Sequence, residues 1–127
     1  MTAEIAVLHV RDRLQQDCEP VVAIYRDLGP VQAEQIIARV LGELALTMSG
    51  LAVQVRAHRL QDMSRQLRRL QRLSEQLGLL SLGAVAGDVR LCLDQGDPTA
   101  FSAVWARLLR VAERSLDADH SLIDRSL

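Results

Sequence analysis

From Pro30 onward the apolar residues Ile37, Val40, Leu41, Leu44, Met48, Leu51 and Val55 recur at steps of three and four. That spacing lines one side of an α-helix, so it predicts a single long amphipathic helix. Gly42 and Gly50 lower its intrinsic propensity without forming a breaker pair. A turn is expected near Arg56 to Arg59, although neither Pro nor Gly marks it. Leu60, Met63, Leu67, Leu70, Ser74 and Leu77 then step three, four, three, four and three, the signature of a helix with one narrow inward seam. Gly78 and Gly83 bracket an expected joint, after which Val85, Val89, Cys92 and Leu93 form the next stripe. "DQGDP" predicts a stop and restart, with Gly96 as C-terminal cap, Asp97 as N-cap and Pro98 at the first helical position. The last helix turns Phe101, Val104, Trp105, Leu108 and Val111 inward.

Before Pro30 the pattern is weaker. Thr2 as a cap with Ile5, Leu8 and Leu14 predicts a short helix over residues 3–16, and a second is expected over 19–27 before "DLGP" ends it. The two are expected to pack across one end of the main bundle. Periodicity fades after Ser115, so residues 117–127 are expected to fray. The expectation is one all-α domain over 1–127: an N-terminal helical addition over 1–28 and an antiparallel up-and-down four-helix bundle over 30–116.

Composition supports this class. The chain has 127 residues, 49% of them apolar, enough for one core. Tyr25, Phe101 and Trp105 are the only aromatics, so the core falls to Leu, Val, Ile and Ala, which suits helix-on-helix packing. Cys18 and Cys92 are isolated, which indicates neither a zinc nor a redox motif and favours a reducing compartment; both read as packing residues. No run of eighteen apolar residues occurs, and "MTAEIAVLHVRDR" carries acid and base too early for a signal peptide. A cytoplasmic chain with no membrane partner is expected.

Charge adds the one distinctive feature. The formal net charge is −1, and all fifteen basic residues are Arg. Six of them, Arg56, Arg59, Arg65, Arg68, Arg69 and Arg72, crowd one segment against a single acid, Asp62. A general nucleic-acid binder carries a strong positive excess and stacking aromatics, and this chain has neither. The cluster therefore reads as a solvated face whose arginine stems cover the core edge, or as a surface for an acidic protein partner.

In its spacing "RRLQRLSEQLG", Arg68 to Gly78, resembles the histidine-containing phosphotransfer (HPt) domain, a four-helix bundle that passes a phosphoryl group between receiver domains. The family motif runs His-x-Leu-Lys-Gly, then a small residue, then Leu-Gly. Leu70 matches the motif leucine, Ser74 the small position, and Leu77 with Gly78 the closing pair. "DLGPVQAEQIIARVLGELALTMSGL" looks like the helix leading into the active one and "GDPTAFSAVWARLLRVAERSL" like the last, so the resemblance spans about residues 28–116. The departures fall on the chemistry: Arg68 stands where the histidine would be, Gln71 for the lysine and Arg72 for the glycine. Guanidinium stays protonated and offers only donors, so Arg68 cannot carry a phosphoryl group, but it can pair with a carboxylate or phosphate.

The resemblance thus implies a non-catalytic regulatory module of bacterial two-component signalling, without a cofactor. Its implied partner is a response-regulator receiver or a histidine-kinase-like protein, met by Arg68, Arg69, Gln71 and Arg72, with Arg65 and Arg59 adding longer-range attraction. Two alternatives stay open. His58-x-Leu60-Gln61-Asp62 also imitates the motif start, which would make His58 the acceptor of an active phosphotransferase. A structural homo-oligomer, built through the arginine helix or the N-terminal helices, is the other. His9, His58 and His120 lie in separate segments, so no metal site is assigned. Asp117, Asp119, His120 and Asp124 read as a solvated tail, Trp105 as core, and Ser74 beside Glu75 as a seam residue without a base.

Overall fold

The computed structural model describes residues 14–126, with side chains as far as Asp117. Thr2, Ile5, Leu8 and His9 of the expected first helix, and the side chains of Asp119, His120 and Asp124, lie outside the described residues. The protein is all-α: α1 (Glu19–Leu28), α2 (Pro30–Arg56), a 3-10 turn (Leu60–Asp62), α3 (Met63–Gln76), α4 (Leu80–Gln95) and α5 (Pro98–Ser126). Helices adjacent in sequence pack on one another, α1 on α2, α2 on α3, α3 on α4 and α4 on α5, whereas α2 meets α5 only marginally.

The punctuation follows local chemistry. Pro20 sits in the first turn of α1, and Gly29, at φ +79°, ends that helix while its N–H donates to the Tyr25 carbonyl at 2.9 Å. Pro30 opens α2 at a position where its missing N–H costs nothing. Residues 14–16, expected at the end of a helix, have no regular structure. Their backbone groups find other partners: the Asp17 N–H donates to the Gly78 carbonyl at 2.8 Å and the Ser81 N–H to the Gln15 carbonyl at 3.1 Å. The Gln15 N–H donates to Ser81 Oγ at 2.7 Å. The N-terminal strap is thereby fastened to the α3–α4 joint. Gly78 makes this approach feasible, because at φ +69° a Cβ there would overlap the Asp17 carbonyl.

The boundary expected at Arg56 to Arg59 is a turn. With no Gly available, His58 takes the left-handed conformation at φ +57°, and the Arg59 N–H closes onto the Gln54 carbonyl at 2.9 Å. Leu60 to Asp62 form a 3-10 lead-in, so α3 begins at Met63. Its buried side is wider than the narrow seam expected: Met63, Leu67, Leu70, Ser74 and Leu77 are buried, and Leu73 joins them. Ser74 is accommodated because its Oγ donates to the Leu70 carbonyl at 2.7 Å. The joint is also shorter than expected. Gly83 lies inside α4 and faces Ser74, where even a Cβ would make only an ordinary contact, 3.7 Å from Ser74 Cβ.

Further along, Leu82, Val85, Ala86, Val89 and Cys92 are buried on α4, whereas Cys18, read as a packing residue, is exposed ahead of α1. Gly96 adopts the left-handed cap and Asp97 Oδ1 accepts from the Ala100 N–H at 3.1 Å, as the "DQGDP" reading expects. On α5, Phe101, Leu108 and Val111 are buried, while Val104 and Trp105 are half-buried and Trp105 stacks on Phe101 at 6.4 Å between ring centroids. The helix continues through Ser126 rather than ending near Ser115. No Pro or Gly follows Pro98, so nothing in the chain interrupts it. The core joins Ile37, Leu44 and Leu51 of α2 to Met63, Leu67 and Leu70 of α3, Leu82 and Val89 of α4, and Leu108 of α5.

Candidate functional site: the arginine face of α3

The spacing that buries Met63, Leu67, Leu70 and Ser74 forces the intervening residues outward. Arg65, Arg68, Arg69 and Arg72 are all exposed, at i, i+3, i+4 and i+7, so they form one contiguous cationic patch. Arg68 sits near the middle of the helix. Like charges at this spacing repel by a few tenths of a kcal/mol per pair, a cost that the buried side of the helix outweighs. Arg59 is exposed in the preceding turn, off the helix.

Two members of the expected partner-binding set are engaged within the chain. Arg69 lies 3.7 Å from the Glu43 carboxylate of α2, a half-exposed pair worth little on its own. Gln71 is half-buried, and its Oε1 accepts from the Arg90 guanidinium of α4 at 2.7 Å. Its amide nitrogen stands about 3.0 Å from where a Cβ on Gly87 would be. Gln71 therefore belongs as much to the α3–α4 interface as to the outer surface.

The patch borders a groove of about 710 Å³ between the end of α2 and the outer side of α3, lined by Gln54, Gln61, Asp62, Arg65, Arg68 and Arg72 among others. Gln54 Nε2 donates to the Asp62 carbonyl at 3.3 Å, while Gln54 Oε1 is buried without a hydrogen-bond partner. Sequence spacing placed the arginines on this surface; it gave no sign of Gln54, which reaches the groove only because α2 and α3 fold back on each other. Such a groove can bind an anionic group through several donors at once. It holds no described histidine: His58 is exposed in the turn ahead of the 3-10 segment.

Of the motif-matching residues, Leu70, Ser74, Leu77 and Gly78 are all buried. A second cleft, of about 420 Å³, lies between the start of α3 and the α4–α5 corner and includes Leu60, Ser64, Cys92, Leu93 and Phe101. No family model, curated protein or solved structure matches the chain.

Proposed function

We propose that this protein is an HPt-like four-helix-bundle module of two-component signalling that binds an acidic partner through the arginine face of α3 and does not transfer phosphate itself. One observation carries the reading: Arg68, which corresponds to the acceptor position in the motif resemblance, is exposed mid-helix between Arg65 and Arg72, beside a groove whose described lining contains no histidine. In this reading α2 to α5 are the four bundle helices, α1 and the preceding strap are the N-terminal addition, and the module works in the cytoplasm.

The chemistry selects the partner class. A row of guanidinium groups suits a surface of carboxylates, such as the acid-lined phosphorylation pocket of a receiver domain, and the long Arg72 side chain keeps that pocket from closing on α3. The His58 phosphotransferase gains no support from position, since His58 lies in a left-handed turn rather than on a helix surface.

The test is titration of the full chain with an isolated receiver domain at low and high salt. Binding that weakens as salt rises, and is lost in the Arg65→Ala, Arg68→Ala, Arg72→Ala triple variant, is expected. A parallel incubation with phosphorylated receiver should leave no acid-labile phosphate on the chain. Phosphate that appears, and disappears in His58→Gln, overturns the proposal.

A further inference from the structure

The two most exposed large apolar side chains among the described residues, Leu46 at 74% and Val31 at 70%, belong to α2, and Val53 of the same helix is exposed too, at 55%. They share one side of the helix. Val31, Gln35, Ala38, Gly42, Ala45 and Ser49 step four, three, four, three and four, with Leu46 and Val53 alongside, and every one is exposed. This side lies opposite Ile37, Leu44 and Leu51, which face the core. An eighteen-residue window of α2 reaches a mean hydropathy of 1.6, yet only 39% of it is buried within one copy. The helix thus carries two apolar faces, and the packing of the chain uses one.

The unused face is complementary to itself when reversed. Around Gly42, positions eleven residues to either side are Val31 and Val53, positions seven to either side are Gln35 and Ser49, and positions four to either side are Ala38 and Leu46. An antiparallel two-fold through Gly42 would therefore set valine on valine, amide on hydroxyl, and leucine over alanine. Gly42 fits the axis, since a Cβ there meets nothing within 4 Å and its absence lets two backbones approach closely. Charge agrees with this register. Arg39 and Glu43 border the same flank of the face, and in an antiparallel pair equal flanks meet. The two-fold brings Arg39 of one copy to within about 3 Å, along the helix axis, of the level of the second copy's Glu43.

We propose that the outer face of α2 binds a second copy of this chain, as an antiparallel helix pair centred on Gly42. This surface is distinct from the arginine groove, and the proposal does not depend on the function assigned to that groove. A 27-residue helix is about 40 Å long and about 10 Å wide, so the pair covers about 800 Å² in total, half of a standard stable interface. The dimer is accordingly reversible.

Sedimentation equilibrium of the full chain over a hundredfold concentration range should show the mass rising from 14.1 kDa toward twice that value. Leu46→Glu should hold it at the monomer, while Leu91→Glu, at an exposed apolar site on α4, should leave the rise unchanged. Register is read by oxidation in a Cys18→Ser background. Gly42→Cys should cross-link to itself, and Gln35→Cys should cross-link to Ser49→Cys in a mixture but not to itself. A monomer at every concentration overturns the proposal, whether residues 1–13, lipid vesicles or another protein then prove to cover the face. Self-linking of Gln35→Cys overturns it too, because that product requires parallel helices.

Discussion

The Arg90 guanidinium of α4 donates to Gln71 Oε1 of α3 at 2.7 Å, a charge-assisted hydrogen bond across the interface behind the arginine face. The pair is half-buried, so it is screened less than a surface contact and should contribute at the level of an ordinary net hydrogen bond. Gln71→Ala and Arg90→Ala should each cost about 1 kcal/mol in urea unfolding, with most of that loss shared when the two are combined. Additive losses would mean that the bond contributes nothing.

Gly78 and Gly96 provide a controlled comparison. Both have positive φ, +69° and +67°, but a Cβ at Gly96 meets nothing whereas one at Gly78 overlaps the Asp17 carbonyl. Gly96→Ala should cost about 1 kcal/mol from backbone strain alone, and Gly78→Ala about 2 kcal/mol or more, because the strap must also detach. Hydrogen exchange of the Asp17 and Ser81 amides should quicken in Gly78→Ala only. Equal effects would show that the strap is not held at the joint.

These cases indicate which parts of the fold were legible in the sequence. Helix type and inward faces were, because Ile37, Leu44, Leu67, Leu70, Val89 and Leu108 recur at helical spacing and are all buried. The corner at Gly96 was too, since cap, N-cap and proline occupy consecutive positions whose chemistry is local. The strap was not. Residues 15–17 form no helix because their hydrogen-bond partners, Gly78 and Ser81, lie more than sixty residues away, and no local pattern encodes that pairing. For the same reason the arginine stripe could be read while Gln54 in the groove wall and the bond from Arg90 to Gln71 could not. The expected joint over 78–83 was too long because Gly83 lies within α4, against Ser74, and an isolated glycine inside a packed helix looks like a breaker in one dimension.

Ser74 tests that contact. Its hydroxyl already has a partner in the Leu70 carbonyl, and the side chain is buried against α4. Ser74→Ala should change stability by less than about 1 kcal/mol, since the carbonyl keeps its helical N–H partner. Ser74→Leu must push α4 away at Gly83 and should cost about 2 kcal/mol or more. Thermal unfolding of the two variants separates a packing limit from a need for the hydroxyl; a tolerated leucine would show that the α3–α4 approach is loose.

His58 occupies a conformation that an L-residue adopts at a cost, and its exposed side chain forms no hydrogen bond or ion pair among the described residues to offset it. The burden follows from sequence: α2 must end without a glycine, and histidine is among the less penalised residues in that region. His58→Gly should therefore stabilise the chain by about 1 kcal/mol, through relief of strain in the folded state partly offset by greater freedom in the unfolded one. His58→Ala, which keeps the Cβ but loses the imidazole, should bring no such gain. Urea midpoints of the two variants, compared at constant m-value, decide the matter: if alanine stabilises as much as glycine, the imidazole and not the backbone is the source of the strain.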